Sequence, residues 1–500
     1  MDKGTNSGRL GTFTIGSVQT PGLLVLNGQD SYLRMYSDVR LHGSEAGKQT
    51  VGTLHDGTNV SLIKCVPTRL INSLRNGKPH SELEVFPNYV VEGSIHIDAV
   101  EASIRSITVF AEDATSLFYD FDAFGSVLTP GPVIQDIDAR GGLSRPLPIG
   151  PEPQIAYFAG QREIISVETE VGTFRANHCP SFPLGGPQGV SIKNEISITL
   201  EFDELVTFDV CLDRRHRLLS FLELILGRQQ VVRRQYVGVE SAGATHTLAV
   251  HWSHSPQRVS DRHDDHSDPQ PADLLVMAVE DKNGFARLLA NWLASDAEMR
   301  QARQRFHTLF VKDNRFSLDR LVGIANAFDL LPESSVDSQV TVSAELAEAT
   351  RVSRESFKSL PTSYERNTVL AALGRVGRPS LKHKVRRRAD AVLAAAPQRF
   401  RHLHDVVDEA INCRNYFVHG TTKSVASDFY EQMYPFFTNT LEFVFGASDL
   451  IECGWDFGWF VRQGTTGSHP FGSFKVNFDG EASEFLSLRE AAKPVNQEQP

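Results

Sequence analysis

The sequence predicts an α+β multidomain chain, in which a β-rich, sandwich-like N-terminal domain is followed by an all-α helical bundle. Three observations carry this reading. Up to about Trp252, short alternating apolar runs recur between Gly, Asn, Asp and Pro turn signals. Beyond Gly284, apolar residues recur at helical spacing, several times behind a serine suited to cap a helix N-terminus. Between the two lies VSDRHDDHSDPQPAD (residues 259–273), polar and proline-bearing. The boundaries that follow are 1–258 for the β-rich domain, 259–283 for a polar linker or loop, 284–460 for the helical domain, and 461–500 for a C-terminal tail, partly disordered.

The strands read, in order, as GLLVLNG, SYLRMYS, NVSLIKCV, SIRSITVFAED, EIISVETEVGTFRA, NEISITLEFDELVTFDV, QYVGVES and THTLAVHW. One helix, roughly Asp213 to Gly227, interrupts them. An antiparallel sandwich or barrel-like domain accounts for that pattern. Nothing in it looks like a phosphate loop or a paired-carboxylate site. His251, His254, His263 and His266 cluster near the linker, but flanking prolines and polar residues predict a flexible loop that orients ligands poorly, so no metal site is expected.

The helical half opens with GFARLLANWLASDAEMRQARQRFHTLF, apolar at Phe285, Leu288, Leu289, Trp292 and Leu293. FSLDRLVGIANAFDLL starts at a Ser317 N-cap and places Leu318, Leu321, Val322, Ala325 and Phe328 on one face. Further helices are expected at about 343–359, 363–376, 380–396, 398–418 and 424–445, with Pro397 and Gly420 as punctuation.

Composition excludes several classes. Hydrophobic residues at 41% and charged residues at 22% fit an ordinary globular protein. No basic stretch followed by an apolar one opens the chain, and no run of about 18 apolar residues exists, so a cytoplasmic protein without a membrane partner is expected. Five cysteines, odd in number and without CxxC spacing, suggest neither a disulfide framework nor a cysteine zinc site. The net charge of −11 argues against a general nucleic-acid coat protein, so any RNA contact needs a local basic patch. RVGRPSLKHKVRRR, Arg375 to Arg388, is such a patch, with seven Lys/Arg and no acid. Its Lys382, Lys384, Arg386, Arg387 and Arg388 are the candidate RNA-binding residues, with Tyr416 as a possible base-stacking ring.

The stretch INCRNYFVHG holds the candidate chemistry. Arg-x4-His occurs five times in the chain, so spacing alone carries little. Of the others, RNGKPH reads as a turn between strands. Only Arg414/His419 closes a long amphipathic helix and stops at a glycine. His419 suits proton transfer, Arg414 offers a permanently charged fork for phosphate, and Asn415 suits an orienting hydrogen bond. On one ideal helix Arg414 and His419 lie about 140° apart, so a helix end near Val418 or a second subunit is needed to bring both to one phosphate. A plainer reading stands beside each residue: Arg414 paired with Asp408 or Glu409, and His419 capping the helix.

Arg-Asn-x-x-x-His within NCRNYFVHG, following a basic helix, resembles the signature of HEPN ribonuclease domains. SVASDFYEQMYPFFTNTLEFVFGASDLIECGWD is similar to the ApeA-like branch of those domains, and GTFTIGSVQTPGLLVLNG to the N-terminal domain of ApeA proteins. The resemblance implies a bacterial anti-phage protein acting by abortive infection. Its HEPN bundle would cleave RNA, tRNA being one candidate, without metal or cofactor, from two motifs facing each other across a homodimer. It also implies that Arg414, Asn415 and His419 are catalytic, and that the N-terminal domain senses infection, through a phage-encoded protein as one candidate trigger. The alternative is an inactive HEPN module that binds RNA or a partner protein.

Overall fold

The computed structural model describes residues 8–492, except 47–48, 142–144, 146–148, 184–186, 188, 256–268, 311–315, 333–341 and 421–426. The β-rich and helical halves are as expected. The chain divides into two compact units, one of Met1–Leu222, Gln229–Pro271 and Met277–Ala286, the other of Glu223–Arg228, Ala272–Val276 and Arg287–Pro500.

In the first unit, six strands close a ring: β1 (Arg9–Ile15), β2 (Val18–Val25), β3 (Tyr32–Ser37), β4 (Gln49–Leu54), β5 (Asn59–Arg75) and β6 (Lys78–Gly93). β1 pairs with β2 and β4, β2 with β3, β3 with β6, and β5 with both β6 and β4, all antiparallel. Alternation along each strand sends one face inward, and Phe13, Leu24, Leu33, Met35, Leu62 and Leu83 fill the ring. A Cβ on Gly52 would stand 2.4 Å from the Phe13 ring, and one on Gly22 2.8 Å from it, so these two glycines make room for that side chain. Beyond β6 the sheet continues through Ala244–Trp252, Val232–Ser241, Ile104–Ala111, Lys193–Val206, Gly172–Ser181 and Glu163–Thr169. The expected antiparallel sandwich or barrel-like domain is, among the described residues, a twelve-stranded sheet, part of which closes on itself, together with a separate two-stranded sheet.

RNGKPH forms the expected turn. Asn76 and Gly77 both have positive φ, and Arg75 pairs with Lys78 across them, the backbone that a two-residue hairpin loop requires. The β6 strand after it was not legible, because Pro79 and Pro87 interrupt its apolar pattern. In NEISITLEFDELVTFDV the strand stops at Val206, and a helix, Phe208–Leu226, begins sooner than periodicity suggested.

The second unit is helical. Serine caps set the starts of four helices: Ser317, Ser343, Ser363 and Ser380 accept from the backbone N–H of Arg320, Leu346, Arg366 and His383. The long helix Ser427–Glu452 packs against Leu318–Asp329, Leu381–Ala395, Leu403–His419 and Pro470–Ala491. Two buried ion pairs tie it in place: Arg303 with Asp449 at 2.8 Å, and Arg320 with Glu442 at 2.7 and 2.8 Å.

Two expectations are corrected here. The helix drawn from Gln398 begins at Leu403, because Phe400 takes a left-handed φ of 58° with its ring buried against Phe443, Phe474 and Phe478. Much of the expected tail is a 22-residue helix, Pro470–Ala491, whose Phe471, Phe474, Phe478 and Phe485 recur at helical spacing and are buried. The polar linker is tied down at its C-terminal end, where Asp273 accepts hydrogen bonds from the backbone and hydroxyls of Thr466 and Ser468, and Leu274 and Leu275 are buried. His263 and His266 lie outside the described residues. No helix among the described residues is long and apolar enough to cross a membrane.

Candidate active site

The motif helix, Leu403–His419, buries Leu403, Val406, Val407, Ala410, Ile411 and Cys413. Val418 lies off this stripe and is 44% exposed. Burial pushes the Cys413 thiol up to about 12, so it is a packing residue and not a nucleophile. Arg414, Asn415 and Tyr416 are half-buried at the edge of the stripe, while His419 is exposed. The helix ends where the sequence suggested: Gly420 adopts the left-handed conformation (φ 63°, ψ 30°) and its N–H closes onto Tyr416 O.

Arg414 Nη1 lies 3.1 Å from His419 Nε2. The 140° between the two Cα positions is overcome by reach, since helical side chains lean toward the N-terminus and the arginine stem is long. No second subunit is needed to bring them together. Because a guanidinium only donates, this contact is a hydrogen bond when Nε2 acts as the acceptor. The same Nη1 donates to Asn415 Oδ1 at 3.1 Å, and Nη2 donates to Asn326 Oδ1 at 3.1 Å.

The acids that could have neutralised Arg414 are engaged elsewhere. Asp408 takes a bidentate pair from Arg386 and a 3.2 Å contact from Lys382. Glu409 is buried and accepts from Tyr430 Oη at 2.9 Å. Among the described residues Arg414 is held by neutral acceptors only, so its full charge remains for an anion.

The basic block divides. Arg388 is 2% exposed and lies 2.5 Å from Glu452, so it is a buried structural cation, not a nucleic-acid contact as expected from sequence. Turning it outward to meet RNA would break this ion pair. Lys382 and Arg386 are partly neutralised by Asp408, whose proximity raises the Arg386 pKa further. Lys384 Nζ donates to Asp329 O at 2.8 Å, at the end of the helix that bears Asn326. Arg387 is half-buried. The Tyr416 ring packs on Phe417 at 5.0 Å and Tyr430 at 5.4 Å, a packing role that leaves little face for a base.

Sequence reasoning missed Asn326. It placed the apolar face of that helix on Leu318, Leu321, Val322, Ala325 and Phe328, whereas Leu318 is 37% exposed and Ile324 and Ala327 are buried. The signal available was a lone amide within the apolar run GIANAF. Among the described residues no group of three His, Cys, Asp or Glu is placed to hold a metal ion.

A β-rich unit followed by a helical unit that presents Arg-Asn-x-x-x-His at a helix C-terminus defines the class of protein: a HEPN domain behind an N-terminal β domain. The chain belongs to the ApeA family, since the model of ApeA N-terminal domain 1 matches residues 9–292 and that of the Apea-like HEPN domain matches residues 322–457. Asn326, Arg414, Asn415 and His419 all fall within the second match. Comparison with curated proteins and with solved structures finds no match. Membership of this family implies an anti-phage HEPN nuclease role.

Proposed function

We propose that this chain is a cytoplasmic anti-phage endoribonuclease acting by abortive infection, cutting RNA, with tRNA as one candidate, without a metal ion. The observation that carries the reading is the 3.1 Å contact between Arg414 and His419 on a guanidinium that no acid among the described residues neutralises. An incoming phosphate competes for Arg414 and draws it off the imidazole. His419 Nε2 is then free to accept the 2′-hydroxyl proton as that oxygen attacks phosphorus. Arg414 holds the charge that develops on the phosphorane, and the leaving 5′-oxygen regains a proton from the imidazolium just formed. Incubating the purified protein with RNA in excess EDTA checks the reading. Cleavage leaving 2′,3′-cyclic phosphate ends supports it, and cleavage that requires added Mg²⁺ replaces the metal-independent mechanism. RNA left intact, even by protein recovered from phage-infected cells, would favour the inactive RNA- or partner-binding module.

The basic helix serves as the substrate track in this proposal, with Lys384 and Arg387 as its main contacts. Reversing both to Glu is expected to weaken RNA binding and to reduce the slope of log affinity against log salt by about 1 to 2. An unchanged slope makes that helix a solvated face only. The homodimer is proposed on the family's pattern, with the two motifs facing each other. Sedimentation should return about twice the 55.4 kDa chain mass, and an active monomer discards this part of the proposal. The β-rich unit is proposed to sense infection, with a phage-encoded protein as its candidate trigger.

A further inference from the structure

Resting on the ribonuclease reading above, we infer that Asn326 is a positioning residue for the reaction, fixing the guanidinium of Arg414 from a second helix. Arg414 is a long side chain at a helix end, and half-buried. Left to itself it would lose substantial rotamer entropy on clasping a phosphate. Two of its three partners, Asn415 and His419, ride on the same helix and move with it. Asn326 is different. It belongs to Leu318–Asp329, and its Oδ1 accepts from Nη2 at 3.1 Å across 88 residues of sequence. The bond takes one guanidinium edge and leaves Nη1 aimed at His419.

The choice of an amide has a chemical consequence. Asp at this position would hold the same nitrogen, but would also neutralise the charge that a phosphate must meet. Asn orients without neutralising. The helix carrying it is itself fixed: Arg320, six residues earlier, is locked to Glu442, and the Ser317 cap closes its start. The Nε of Arg414 is buried and without a hydrogen-bond partner among the described residues, so the orientation of the fork rests on its two Nη groups.

Asn326→Ala is expected to lower kcat for RNA cleavage by about tenfold to a hundredfold, the range for loss of a hydrogen bond to a charged group, with an unchanged melting temperature. It should also weaken binding of a 2′-deoxy-substituted, uncleavable RNA in the wild-type background, but not in the Arg414→Ala background. A structural role would lower affinity equally in both. Asn326→Asp keeps the acceptor oxygen. It should raise KM and also lower kcat, because its charge offsets Arg414 in the ground and transition states alike, and it decides the matter if the alanine variant does not fold. Full activity in both variants, or equal losses of affinity with and without Arg414, overturns the inference. A wild-type protein that neither binds nor cuts RNA instead removes the ribonuclease reading itself, so the two failures are distinguishable.

Discussion

Replacing His419 or Arg414 with alanine is expected to reduce RNA cleavage by about 10²–10⁴-fold, the range for loss of one well-placed acid–base or charge-stabilising group, while the protein should melt as before. The stability half of this expectation comes from position. His419 is exposed in the last turn, and the helix end is secured by the left-handed Gly420, whose N–H already satisfies Tyr416 O. Arg414 is half-buried, but its partners are two amides and an imidazole, so removing it strands no buried charge. Arg414→Lys should restore little, because a single ammonium cannot span His419, Asn415 and Asn326 at once. Purified variants that melt like wild type and cut RNA at an undiminished rate would end the assignment of this site.

Breaking the Arg320–Glu442 pair has the largest expected effect on the fold. Arg320 Nε and Nη2 reach the two carboxylate oxygens at 2.7 and 2.8 Å, and the side chains are only 6% and 5% exposed. Burial pushes the Glu442 carboxyl up, and the hydrogen bonds and charge of Arg320 oppose that rise. Glu442→Ala removes the carboxylate that both of these guanidinium nitrogens reach, and the loss is expected at about 3–5 kcal/mol. Arg320→Met together with Glu442→Leu should recover most of it, because the double replacement removes both desolvation costs and fills similar volume. Denaturant midpoints of the wild type and the two variants measure this, and a Glu442→Ala loss under about 1 kcal/mol would show that the pair is not holding the bundle. The effect reaches the site as well. Arg320 and Asn326 share one helix, so the double variant reports whether that helix must be held by charge or only by packing for RNA cleavage to persist.

What the sequence alone determined follows from signals that act within a few residues. Serines at 317, 343, 363 and 380 mark helix starts because each side chain accepts an N–H within its own first turn. Gly420 marks a helix end because only the glycine backbone enters the left-handed region without cost. Asn-Gly at 76–77 marks a hairpin for the same reason. The motif residues Arg414, Asn415 and His419, and the order of a β half before a helical half, were legible in that way. The tertiary structure alone decided which of these groups meet others. Ring closure by the pairing of β3 with β6, the capture of Arg388 by Glu452, the seating of Phe400 among Phe443, Phe474 and Phe478, and the reach of Asn326 to Arg414 each join residues 43 to 88 apart. No local periodicity encodes such pairings, because they are set by which apolar faces pack together and by the cost of leaving a buried charge or amide without a partner.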